Sequence, residues 1–344
     1  MNRWLLLSSV SIATLGAGLF LTQAPGGAVR LAVTPVVALH TIQAAVSPPR
    51  VDSLKITILS TMLAEQDGIG EWGFAALVEA DGNRILYDTG ARPRTVLENA
   101  RDLKIDLSGV RDVILSHNHA DHTGGLVTLR RELSQKDPAA LSRAHVAPGI
   151  FYSRPDGHGG EANTTIATRR EYEALGGTIV EHAKAVEMFP GMWLTGPVPR
   201  VYPERNWSVT GQVAAPGGLV EDTIPEDQAL VFDTSRGLVM LSGCGHAGIV
   251  NILDYARHIV RPAPVYAAIG GFHLFAADDA KLDWTAGKLH EMRIQNLLGA
   301  HCTGLHSVYY LKEKLGLPRQ ACLVGAVGAV FTLEKGIAPG RLAR

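Results

Sequence analysis

The run His117-Asn118-His119-Ala120-Asp121-His122 constrains this chain more than any other feature, because it packs three imidazoles and a carboxylate into six residues. Val113 to Leu115, just before it, reads as a short buried strand. Gly124-Gly125-Leu126, just after it, opens a helical stretch towards Ser134. An extended backbone projects residues two apart to the same side, so His117 and His119 face together. Asp121 and His122 follow where the chain bends into a helix, which turns a carboxylate and a third imidazole towards nearly the same point. Strand, motif loop, helix is the order in which a rigid sheet presents ligands at its carboxyl edge. A polar surface loop with incidental histidines rarely has this spacing.

Neutral imidazoles with a carboxylate suit Zn, Fe, Mn or Ni, and the imidazole content favours Zn2+. A structural zinc site is closed by four ligands, usually including thiolates. This cluster has no thiolate and too many ligands for one closed site, so the expectation is a catalytic centre with two divalent metal ions. Ions roughly 3.5–4 Å apart would turn a bridging water into a metal-bound hydroxide near neutral pH and polarise a carbonyl or phosphoryl oxygen. Asp121 would act as a ligand and also steer that nucleophile. No motif for a Ser-His-Asp arrangement occurs.

From Leu54 onwards short β-branched runs alternate with helical stretches. Lys55 to Ser60, Gly73 to Glu79 and Arg84 to Tyr87 read as strands, the last two forming a hairpin about Asp81-Gly82. A helix is expected from Pro93 to Leu103. The second half repeats the plan. Leu238 to Leu241 reads as a strand ending in Ser242-Gly243-Cys244-Gly245-His246, with a helix from Ile249 to His258. Val265 to Ile269 ends in Gly270-Gly271-Phe272-His273, and a helix from Leu282 to Leu298 leads to His301-Cys302-Thr303-Gly304. The Gly-, Pro- and Arg-rich stretch from Ala147 to Glu226 is expected to form long loops over the site. Cys244, Cys302 and Cys322 are too few for a disulfide framework, and two of them adjoin histidines, which points to a metal site.

His-x-His-x-Asp-His between a strand and Gly-Gly resembles the signature of the metallo-β-lactamase-fold superfamily. The resemblance spans about Leu54 to Thr332 and implies an α/β protein, an αββα sandwich of two mixed β-sheets flanked by helices, with metals at one sheet edge. Tyr87-Asp88-Thr89-Gly90, Gly243-Cys244-Gly245-His246-Ala247-Gly248, Gly270-Gly271-Phe272-His273-Leu274 and His301-Cys302-Thr303-Gly304 are similar to one subgroup of metal-dependent hydrolases, related to a dihydropterin–ribofuranosylaminobenzene phosphate synthase. The resemblance implies that His117 and His119 hold one metal, and Asp121 and His122 the other. His301 fits the last histidine of the pattern, with His273 as the alternative for that role and both expected near the metals.

The family's mid-chain Gly-His-Thr-Pro-Gly-like stretch is missing. The corresponding segment, Trp193 to Arg200, contains no histidine, so His246 or Cys244 must complete the metal ligands, or one metal is open and weakly held. His246 is preferred, imidazole being the commoner ligand beside carboxylates. Asp88 is expected behind the ligands, ordering the His117–His119 loop. Its alternative is an ordinary turn-capping aspartate.

Tyr152, Arg154, Arg200, Glu204, Arg205 and Trp207 are candidates for the site mouth. Arg200 is the foremost, since it resembles the subgroup's Pro-Arg and an arginine grips phosphate or carboxylate. Phe272 reads as a core aromatic, with a pocket wall as the alternative. His40, His145, His158, His182, His258, His290 and His306 each stand alone, with His158 in a Gly-rich loop that could reach the metals.

Lys and Arg total 32 against 33 Asp and Glu, with no basic cluster, so a nucleic-acid partner is not supported and a small-molecule substrate is expected. Arg3 followed by the uncharged apolar run Trp4 to Leu21 reads as a signal peptide or N-terminal membrane anchor over 1–28. A linker over 29–50 and the catalytic domain over 51–344 complete the expected organisation. The protein is therefore expected to be exported, either periplasmic or membrane-anchored and facing outward. The functional expectation is hydrolysis of a phosphodiester, ester or lactone. The alternatives are a β-lactamase or lactonase, and a metal-binding ligand sensor without turnover.

Overall fold

The computed structural model describes residues 11–23, 29–41, 50–65, 67–206 and 211–340. The chain divides into two units, Met1–Pro48 and Pro49–Arg344. In the first, β1 (Ser11–Gln23) pairs antiparallel with β2 (Val29–Thr41). Much of the stretch expected to be linker is thus a paired strand. Residues 1–10 and 24–28, part of the expected signal or anchor, lie outside the described residues. Among the described residues no helix is long and apolar enough to cross a membrane.

The second unit is built on two mixed sheets. The eight-stranded one contains β3 (Leu54–Ser60), β4 (Ala75–Ala80), β5 (Asn83–Tyr87), β6 (Asp112–Ile114), β7 (Arg143–Val146) and β8 (Thr178–Glu181) in that spatial order. The seven-stranded one contains β9 (Val186–Phe189), β10 (Met192–Leu194), β13 (Ala229–Thr234), β14 (Gly237–Ser242), β15 (Val265–Gly270), β16 (Asn296–Gly299) and β17 (Cys322–Val324). β11 (Gln212–Ala215) and β12 (Gly218–Glu221) form a separate hairpin. β18 (Val330–Thr332) and β19 (Gly336–Ala338) close the β3 edge of the larger sheet. Each sheet changes from antiparallel to parallel pairing midway, at β5–β6 in one and β14–β15 in the other.

The apolar pattern explains the layering. Ile56, Val78, Ile85 and Tyr87 of one sheet pack against Leu230, Phe232, Val239 and Leu241 of the other. On the outer face of the larger sheet, α1 (Thr95–Asp102), α3 (Leu126–Leu133) and α4 (Thr165–Ala174) cover Leu77, Leu86, Val113 and Ala144. Across the molecule α5 (Ile249–Ile259), α6 (Asp279–Glu291) and α7 (Leu305–Leu315) cover Val231, Met240, Ala268 and Leu297. A sheet buried on both faces has no reason to alternate polar and apolar residues, which is why β13, β14 and β15 are buried along their whole length.

Two expectations fail here. The helix expected to run from Leu282 to Leu298 ends at Glu291. Arg293 takes φ 57°, and Asn296–Gly299 becomes β16, paired in parallel with both β15 and β17. A short apolar run carries no decisive period, and pairing on two sides outweighs its helix propensity. The stretch from Ala147 to Glu226 is also not simply loop. It holds α4 and β8 to β12, whose strands of three or four residues are too short to show a pattern.

Candidate metal centre

The parallel halves of both sheets deliver their carboxyl ends to one edge. β6 leads into His117 to His119 and then α2 (Ala120–Thr123), which carries Asp121 and His122. β14 leads to Cys244 and His246, β15 to His273 and β16 to His301. Ser242 is in register with Gly270, and Gly270 with Gly299, so the three loops leave the sheet at one level. Gly243 is dictated by this crowding. A Cβ there would lie 2.2 Å from the Ser116 hydroxyl and 2.4 Å from Asp88.

His117, His119 and His246 form one group whose candidate ligand atoms lie within 4.8 Å of one another. Each inner imidazole is held by its far nitrogen. Nδ1 of His117 is 2.9 Å from the Ser116 hydroxyl, and Nδ1 of His246 meets the carbonyl of Asn206. The remaining nitrogen, Nε2 of each, is buried with no hydrogen-bond partner. Burial, with the neighbouring imidazoles, holds His117 and His246 well below the ordinary histidine range, and burial lowers His119 to about 4. All three are neutral at physiological pH, with lone pairs available, as metal ligation requires. The stretch Trp193 to Arg200 brings no imidazole here, and His246 occupies the place beside His117 and His119.

Asp121, His122 and His301 form a second group. Nε2 of His301 is 3.2 Å from Asp121 Oδ2 and 3.3 Å from Nε2 of His122. Two imidazole nitrogens aimed at each other and at one carboxylate oxygen describe a place for a cation. Burial works against the charged form of His122, but Asp88 and Asp121 outweigh it and lift its pKa to about 9, so its second ring proton is one that a binding cation would displace. Burial likewise opposes ionisation of Asp121, yet His122 and His301 hold its carboxyl below the usual range. Asp88 lies directly behind this group. Its Oδ2 meets Nδ1 of His122 and accepts from the Ser116 hydroxyl, both at 2.7 Å, while Oδ1 accepts from the Ser116 amide, also at 2.7 Å. One carboxylate thereby orients His122 and pins the residue preceding His117.

Cys244 lies between the two groups, with Sγ 3.1 Å from His122 Nε2, and burial raises its thiol pKa. Cys302, which the sequence marks only by its adjacency to His301, brings its Sγ to 3.2 Å from that of Cys244. All three cysteines are free thiols. His273, at φ 48°, groups with Cys244 and His246 at the rim, its ring centroid 4.6 Å from that of His246.

The expected mouth residues take other duties. Arg154 is buried among Asp222, Glu226 and the carbonyls of Gly149 and Tyr152. Arg200 donates to the carbonyls of Thr223 and Ile224. Glu204 is buried, its Oε2 accepting from the Asn251 amide at the start of α5. Gly248, at φ 99°, is required there because a Cβ would collide with that carboxyl group. Arg205 pairs with Glu221, and Trp207 lies outside the described residues. His158 is exposed, in a turn held by Asp156. Phe272 is core. His145 and His182 do not stand alone: their rings stack, with Nδ1 of His145 2.9 Å from Nε2 of His182 and Asp112 beyond.

A short segment supports both ligand loops. Glu226 accepts from the Asn118 amide and Asp227 from the Ala247 amide. Gln228 donates its backbone N–H to the Ser116 carbonyl and its side-chain amide to that of Leu115. Sequence reasoning missed this segment, because its role lies in contacts far apart along the chain.

A four-layer sandwich with imidazole, carboxylate and thiol donors gathered where the strand ends of both sheets meet is the metallo-beta-lactamase fold. The chain belongs to the metallo-beta-lactamase superfamily, whose family profile matches residues 73–257. It is 30% identical over 275 residues to the 7,8-dihydropterin-6-methyl-4-(beta-D-ribofuranosyl)-aminobenzene-5'-phosphate synthase of Methanocaldococcus jannaschii, across 77% of this chain and 92% of the relative. Among solved structures it is similar to Tm1679, a metal-dependent hydrolase of the beta-lactamase superfamily, at 26% identity and TM-score 0.64, over 81% of this chain and 98% of the other.

Proposed function

We propose that the protein is a metal-dependent hydrolase with a dinuclear centre that cleaves a phosphodiester, ester or lactone. The observation that carries this is the pair of buried, partnerless Nε2 atoms on His117 and His246, each ring fixed from behind. Leaving such nitrogens unpaired is costly unless a ligand-seeking cation takes them. His117, His119 and His246 would hold one ion, and Asp121, His122 and His301 the second, with Cys244 between them. Zinc fits this donor set, and iron or manganese would also be accommodated. Bound divalent ions supply Lewis acidity towards a substrate oxygen and acidify water.

The protein's own groups do the rest. Asp88 fixes the Nδ1 proton of His122 and so aims Nε2 inward. Asp121, ionised at neutral pH and the most exposed carboxylate of the cluster, orients the attacking water by accepting a hydrogen bond from it. Metal analysis beside a panel of bis-nitrophenyl phosphate, nitrocefin, lactones and thioesters tests the proposal. Turnover of a phosphodiester, ester or lactone that disappears in His119→Ala is expected. Full activity after rigorous chelation would sink it, and turnover of nitrocefin alone would make the protein a β-lactamase instead.

A second reading follows from the relative named as a synthase: the same centre could join rather than cleave. Condensation activity without hydrolysis of any panel member would favour it. Export is part of the proposal and rests on the apolar run after Arg3. Recovery of the full-length protein in the cytosolic fraction would remove it.

A further inference from the structure

Two large aromatic side chains stand half exposed at the metal centre. Trp72 is 49% and Phe275 50% exposed, although Phe74, Phe272 and Leu274, one to three residues away along the chain, are fully buried. Their rings meet edge to face, with centroids 5.6 Å apart and planes at 84°. Trp72 also meets the ring of His301 at 5.0 Å, and Phe275 that of His273 at 5.2 Å. His301, Trp72, Phe275 and His273 are thus a continuous wall of rings, beginning and ending on histidines of the centre.

The wall is held in place by backbone. The Phe275 amide donates to the Cys302 carbonyl at 3.1 Å. Gly304 packs so closely that a Cβ would come within 2.8 Å of the Phe275 Cα. On the other side, the Glu71 amide donates to Thr61 and the Phe74 amide to Asp121, so Trp72 projects from an anchored strand entry. Neither ring is exposed for want of order around it.

We infer that Trp72 and Phe275 form an aromatic corner that binds a planar ring of the substrate beside the metal centre. The inference rests on the hydrolase proposal for the position of the reacting group. Two rings at a right angle offer one π-face for stacking and one edge for a T-shaped contact, an arrangement complementary to a third flat ring rather than to a flexible alkyl chain. The substrate class is therefore an aryl or heteroaryl compound whose scissile group lies next to its ring.

The test compares phenyl, cyclohexyl and ethyl phosphate as ligands of the zinc-loaded full chain, by calorimetry, in the parent protein and in Trp72→Ala, Phe275→Ala and Trp72→Phe. Each wall is expected to contribute roughly threefold. Phenyl phosphate should then bind at least about tenfold tighter than either of the others. That preference should shrink to within about threefold in either alanine variant and persist in Trp72→Phe. Equal binding of phenyl and cyclohexyl phosphate, no measurable binding of phenyl phosphate, or a preference that survives both alanine variants would overturn the inference. If the preference is present but no substrate of the panel is cleaved, the corner stands and the hydrolase proposal fails. If substrates are cleaved without any ring preference, the reverse holds.

Discussion

Nδ1 of His122 lies 2.7 Å from Oδ2 of Asp88, with both side chains shut off from solvent and the same carboxylate binding the amide and hydroxyl of Ser116. Such a carboxylate behind a ligand imidazole fixes its tautomer and raises its basicity, and losing it typically costs 10–100-fold in metal affinity. Asp88→Asn should therefore stay folded by circular dichroism yet lose one ion on dialysis against a chromophoric chelator. Unchanged metal retention would reduce Asp88 to a turn residue.

His246→Ala removes the imidazole that stands where the family's mid-chain histidine is missing. Metal content should fall from about two ions per chain to about one, and turnover by at least roughly 100-fold. Elemental analysis after gel filtration, with Cys244→Ala alongside, decides between the two residues. If only the cysteine variant loses metal, the ligand assignment is reversed.

Metal should also shield the thiols. Cys244 and Cys302 lie against the candidate ligands, so iodoacetamide should modify them several-fold faster in chelated than in zinc-loaded protein, with Cys322 unaffected by the metal. Peptide mass spectrometry reads each site separately. Equal rates with and without zinc would place the metal away from Cys244.

Glu204 makes stability depend on pH. Burial lifts its folded pKa to about 7 from an ordinary 4.5. Between those values the folded state holds a proton that the unfolded state has released, so stability falls as pH rises from about 4.5 to 7 and stays lower above. The difference amounts to roughly 3 kcal/mol. In urea titrations at pH 5 and pH 8, Glu204→Gln should lose most of that pH-dependent difference relative to the parent. Parallel pH profiles for the two proteins would show that Glu204 titrates normally.

The strands before His117, Cys244 and His273 are legible because each is a compact apolar run, a pattern that survives burial on both sheet faces. Asp88 could be placed near the cluster because it follows such a run, and His301 because it fits the family pattern. Trp72, Ser116 and the carbonyl of Asn206 could not, since nothing local marks a residue that acts only across the sheet edge. Arg154, Arg200 and Glu204 attract notice as polar groups in a Gly-rich stretch. Their use as buried struts depends on Asp222, Thr223 and Asn251, which no spacing connects to them. β16 was misread because four residues are too few to reveal a period, and its strand character comes from β15 and β17.

The Glu226–Gln228 segment, bound to the Ser116–Asn118 turn on one side and to the Ala247 amide on the other, ties both ligand loops together through the protein's own hydrogen bonds. Most of the ordering entropy is met when the chain folds, not when ions arrive. Stripped protein should therefore keep its secondary structure and take up metal in a rapid single phase, in contrast to small domains that are unfolded until zinc binds. Stopped-flow uptake followed by a zinc indicator would show this, and a slow, folding-limited phase would mean that the scaffold is assembled by the metal itself.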